Sequence, residues 1–96
     1  MKEPRAPSLL QPDGVKECYL TGVQTGLHLH HIYAGTANRK LSDRWGCWVW
    51  LKASIHADLH DRDKSIDLRL KQDCQRAFEA KYDHKTFMRI FGKSYL

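Results

Sequence analysis

The stretch GLHLHHIY, residues 26–33, does most to limit what this chain can fold into. After Gly26 the positions alternate. Leu27, Leu29 and His31 fall on one face, and His28, His30 and Ile32 on the other. A period of two belongs to a strand, because successive side chains of an extended backbone point to opposite sides. Residues 47–52, CWVWLK, are rich in aromatic and β-branched side chains and read as a second strand. Between the two lies AGTANRKLSDRWG, 34–46, a polar and basic stretch read as a loop. Ahead of them ECYLTG, 17–22, reads as a short extended piece that turns at Gly22.

Helical spacing follows the second strand. Ser54 is placed to cap IHADLH, 55–60, which sets His56 and His60 one turn apart on one face. DRDKS, 61–65, is a polar break. Over 66–82 the apolar positions Ile66, Leu70, Cys74, Ala77, Phe78 and Tyr82 keep the helical repeat, with Ser65 as N-cap and Asp67 suited to the first turn. Asp83 caps a last short helix carrying Phe87, Ile90 and Phe91, and Gly92 stops it. The outline is a small α+β domain: a hairpin, a short helix, then packing helices.

A chain of 96 residues supports one domain with a modest core, so a bound metal or a partner subunit would add stability. Residues 1–16, punctuated by Pro4, Pro7, Pro12 and Gly14, read as a flexible N-terminal arm, and 17–96 as the domain. No apolar run approaches 18 residues and no stretch near the N-terminus has signal-peptide character, so neither a membrane partner nor export is expected. The three widely spaced cysteines, Cys18, Cys47 and Cys74, give no disulfide framework, and the cytoplasm is the expected location. A net charge of +5 favours a polyanionic partner, chiefly nucleic acid.

Five of the six histidines carry the functional reading: His28, His30, His31, His56 and His60. Two adjacent histidines end a strand, a basic stretch and a second strand intervene, and H-x-x-x-H follows on a helix. His56 and His60 are spaced to share one divalent ion. His30 and His31 project to opposite sides of a strand, so one can ligate while the other acts as a base. Phosphodiester hydrolysis needs a base to activate water and a cation to neutralise phosphate and stabilise the leaving oxygen.

With these residues in place, HHI (30–32), WVWL (48–51) and HADLH (56–60), the sequence resembles the HNH endonucleases of the ββα-metal, or His-Me finger, class. The resemblance extends to small phage-type HNH proteins. Their HHIxxGTxxRxxSDxxG stretch looks like HHIYAGTANRKLSDRWG (30–46), and their tails like DLRLKQDCQRAFEAKY and FGKSYL. The likeness covers roughly residues 17–96. It implies a ββα-metal hairpin and helix with C-terminal packing helices. By position it makes His31 the general base, and His30, His56 and His60 the ligands of one divalent ion, Mg, Mn, Ni or Zn. Many members hold the metal with two protein ligands, which leaves open a looser role for His56 or His60. The likeness sets the stretch bearing Arg39, Lys40 and Arg44 beside single- or double-stranded DNA, and implies phage or prophage DNA processing or recombination in a bacterial host cell. His28 matches no family position and reads as a surface residue or one that supports the ligands.

Two departures stand out. Many HNH proteins hold a structural zinc with two C-x-x-C pairs; the corresponding positions here are CYLT, 18–21, and KASI, 52–55. One cysteine of four remains, so the zinc knuckle is degenerate and no structural zinc is expected. Packing by Tyr19, Trp45, Trp48 and Trp50 would then hold the hairpin. The middle Asn of the motif falls near Cys47 by strand register, Asn38 is the nearby Asn, and the role stays open between them. Two further readings stand beside the nuclease: an inactive HNH-fold nucleic-acid-binding module, and a homo-oligomeric structural protein.

Overall fold

The computed structural model describes residues 5–61 and 64–96, with His60 and Asp61 described in their backbone alone. The order is β1 (Leu27–His31), α1 (Thr36–Trp45), β2 (Trp48–Lys52), α2 (Ala53–Asp61), α3 (Lys64–Lys81) and α4 (His84–Phe91). It is a small α+β domain. The strands pair antiparallel with Leu27 opposite Lys52, His28 opposite Leu51, Leu29 opposite Trp50, His30 opposite Val49, and His31 opposite Trp48. Directly opposed residues share a face. One face therefore carries His28, His30, Val49 and Leu51, and the other Leu29, His31, Trp48 and Trp50. Val49 and Leu51 are fully buried. The alternation expected from the sequence is the alternation observed.

The stretch between the strands differs from its reading as a loop. Residues Thr36–Trp45 form α1, which packs on β1 and α4. Asn38, Ser42 and Asp43 are weak helix formers, which hid the helix from propensity. Packing decides it. Trp45 packs on the core beside buried Ser42, whose hydroxyl donates to the Tyr33 carbonyl. Gly46 closes the helix at φ 76°, and a Cβ there would lie 2.2 Å from the Pro7 carbonyl oxygen. Only glycine fits both demands.

That close approach comes from the segment read as an N-terminal arm. Over the described part, residues 5–16, it lies along the outer edge of β2. The Ser8 hydroxyl donates to the Trp48 carbonyl, and the Trp50 N–H donates to Gln11 Oε1 (2.9 Å). The Tyr19 N–H completes the edge by donating to the Trp50 carbonyl (2.9 Å). A two-stranded sheet leaves edge groups open to solvent or to another chain, and these bonds close this one. Trp48 Nε1 donates to the Ala6 carbonyl, Arg5 stacks over Trp48, and Lys16 over Trp50. Of the aromatic residues expected to hold the hairpin, Trp48 and Trp50 pack against the N-terminal segment, whereas Trp45 packs on Phe78 and Tyr82.

The core runs from Val49 and Leu51 on the hairpin to Leu70, Phe78 and Phe87 on α3 and α4. Tyr33 is buried among the rings of Phe87, Phe91 and Tyr95, and its hydroxyl donates to the Lys71 carbonyl. Phe78 on α3 meets Trp45, Tyr82 and Phe87. Buried Gln75 accepts the Tyr95 N–H and donates to Ser94 Oγ, which ties the FGKSYL tail to α3. α3 begins at Lys64, so Ser65 lies inside the helix, and α2 begins at Ala53, one residue before Ser54. Asp83 caps α4 through the Thr86 N–H, and Gly92 ends it in the left-handed conformation, as the sequence indicated. Among the described residues no helix is long and apolar enough to cross a membrane.

Candidate metal and base site

β2 runs directly into α2, and the Ala53 N–H donates to the Gly26 carbonyl. This junction folds α2 back onto the face of the hairpin that carries His28 and His30. The result is an imidazole cluster. His28 Nδ1 and His56 Nδ1 are 3.3 Å apart, their rings edge to face at 5.5 Å. The His30 ring lies 5.1 Å from that of His56. His30 is 3% exposed, whereas His28 is open to solvent. Of the three ligands that the resemblance implies, the structure brings His30 and His56 together. The backbone of His60 follows one turn later on α2, and its side chain lies outside the described residues. Among the described residues no group of three or more His, Cys, Asp or Glu is gathered to hold a metal. An all-imidazole donor set nevertheless suits a borderline divalent ion of the zinc class.

His31 stands on the other face. Its Nε2 is 2.9 Å from Asp43 Oδ1, and Arg5 Nε donates to the same oxygen at 2.6 Å. Asp43 reaches His31 because α1 is a helix that returns along β1. Desolvation by burial raises the Asp43 pKa, but the bonds from Arg5 and His31 outweigh it and lower the net value. Asp43 is therefore an anion at neutral pH and can only accept. His31 Nε2 must then carry the hydrogen, which leaves Nδ1 with the lone pair in the neutral ring. Neither Asp43 nor Arg5 was singled out from the sequence. Asp43 did leave a signal: it is the lone acid between Glu17 and Asp58. Arg5 left none.

Arg39, Lys40 and Arg44 are exposed on α1, not on a loop. Helical spacing sets Arg39 one turn before Asp43, on the flank that meets His31, and groups Lys40 with Arg44 farther round. Asn38 also lies on α1. Cys47 lies in the core, where a bond with Cys74 and burial push its thiol pKa up. Cys18 is buried at the degenerate knuckle. Burial raises its pKa, but bonds from the Thr21 side chain and from the backbone of Lys52, Leu20 and Thr21 bring it below the ordinary thiol value.

Neither a protein-family model, nor a curated protein, nor a solved structure matches the chain.

Proposed function

We propose that the chain is a metal-dependent HNH-type endonuclease that hydrolyses DNA phosphodiester bonds, in phage or prophage DNA processing or recombination. The observation that carries this reading is the split of adjacent histidines across one hairpin. His30 turns inward to His56 on α2, and His31 turns outward to an ionised carboxylate. The ββα-metal class uses adjacent histidines in this way, as ligand and as base.

His30, His56 and His60 would hold one divalent ion. When bound, that ion supplies charge neutralisation at the phosphate and stabilisation of the leaving oxygen. The chain's own residues do the rest. Asp43 fixes the tautomer of His31, so Nδ1 is the nitrogen that takes a proton from the attacking water. The imidazolium so formed stays against the Asp43 carboxylate. Arg5 shares that oxygen and holds the carboxylate in place. Arg39, on the same flank of α1, contacts the DNA backbone, with Lys40 and Arg44 beside it. The protein acts in the cytoplasm of the host cell.

A plasmid-nicking assay with Mg, Mn, Ni and Zn tests the reading. Nicking that needs one of these ions and stops with chelator is expected. DNA binding without nicking under every ion would favour the second reading, a binding module of the same fold. The observation on its side is the knuckle with one cysteine, where Cys18 is buried and three of the four cysteine positions hold other residues.

A further inference from the structure

The resemblance gives His28 no role, yet the structure sets it nearer to His56 than a neighbouring surface residue needs to be. We propose that His28 is itself a metal ligand, binding through Nδ1 together with Nδ1 of His56, and that the pair selects a tetrahedral ion of the zinc class. The inference rests on the reading of this face as a metal site and adds a ligand to it.

Zinc-class ions bind imidazole nitrogen at about 2.0–2.1 Å, so two nitrogens on one tetrahedral edge lie about 3.3–3.4 Å apart. The His28 and His56 Nδ1 atoms are 3.3 Å apart. A cis edge of an octahedron at the same bond length would be about 2.8–3.0 Å, the geometry that magnesium demands, and magnesium prefers oxygen donors. Without a metal the two nitrogens can share one hydrogen, one ring donating and the other accepting. A cation replaces that hydrogen without moving either ring far. Strand geometry supports the assignment. His28 and His30 are two residues apart on β1 and so share the face that α2 covers. His30 is the buried member, beside His56, and His28 the exposed one at the mouth. With His28, His30 and His56 as its three imidazole ligands, and His60 in the looser role that the resemblance leaves open, a tetrahedral ion keeps its fourth position for water or a phosphate oxygen.

The test is a Co²⁺ titration of the full chain, read by visible absorption, with Zn²⁺ competition. It is run on wild type, His28→Ala, His28→Gln, His30→Ala and His56→Ala, with folding checked by circular dichroism. Strong tetrahedral d–d bands are expected in the wild type. Both His28 variants should bind Co²⁺ and Zn²⁺ at least about tenfold more weakly, with the bands weakened or shifted toward those of a higher-coordinate ion. If His28→Ala keeps wild-type affinity and spectrum while His30→Ala and His56→Ala lose them, the inference about His28 is overturned and the metal reading stands. If the wild type binds neither ion, both fall.

Discussion

On one face of the hairpin imidazole meets imidazole, and on the other imidazole meets carboxylate. His28, His30 and His56 bring together lone-pair donors that would repel one another if protonated. Such a cluster is suited to a cation other than the proton. His31 lies against Asp43, whose lowered pKa keeps it ionised, and this pairing is suited to receiving a proton. The two chemistries meet in adjacent residues because a strand turns successive side chains to opposite faces. The difference teaches that residue type alone does not set the role of a histidine here. The partner does, and the partner comes from the helix packed on that face: α2 for one, α1 for the other.

The strongest way to break the contrast is to remove the carboxylate. Asp43→Asn keeps the shape but lets the amide donate as well as accept, so the His31 tautomer is no longer fixed. Cleavage should fall roughly ten- to hundredfold, less than for a buried triad aspartate because the pair is partly open to water. Co²⁺ affinity should not change, since Asp43 is on the other face. A variant that loses metal and cleavage together would erase the distinction between the faces. Single-turnover kinetics beside a metal titration measures both.

A smaller effect sharpens the placement of DNA. Arg39→Glu should weaken DNA binding across all sequences and flatten its dependence on log salt by about 1, the share of one phosphate contact. Arg44→Glu, farther round α1 from Asp43, should change the slope less. Equal slopes for the two variants would mean that the His31 flank of α1 is not the face that meets DNA.

The smallest effect is on stability. The Asp43 pKa is depressed in the folded protein, so its contribution is present above the unfolded carboxylate value and is lost as pH falls through the folded one. The side chain is 37% exposed, and after screening the contribution is of order 1 kcal/mol or less. Urea midpoints of wild type and Asp43→Asn should therefore differ at pH 6 and converge in acid, once pH falls below the lowered Asp43 value. A gap that persists in acid would mean that the Arg5–Asp43–His31 cluster is not what the substitution removes.

Much of this contrast is legible in the sequence, and the missing part has a physical cause. The alternation at Leu27–His31 places His30 and His31 on opposite faces, and the i, i+4 spacing of His56 and His60 places them on α2. Caps at Asp83 and Gly92 are readable because they are local. α1 is hidden because Asn38, Ser42 and Asp43 lower propensity, and Trp45, which packs on the core, gains meaning only once that core exists to receive it. The His31 partner was hidden with it. From a loop Asp43 could point anywhere; from a helix returning along β1 it meets His31. The edge-closing bonds of Ser8 and Gln11 were out of reach for another reason. Proline-rich spacing signals irregular backbone, and says nothing of whether that backbone is docked.

The most direct test of the division between the faces is a paired measurement on wild type, His30→Ala and His31→Ala: metal affinity by titration and cleavage by single turnover, on the same preparations. The account predicts that His31→Ala binds metal as the wild type does but cuts roughly 10²–10⁴-fold more slowly, the share of a general base. It predicts that His30→Ala loses metal affinity and cleavage together. A His31→Ala protein that cuts at the wild-type rate, or one that loses its metal along with its activity, would contradict it.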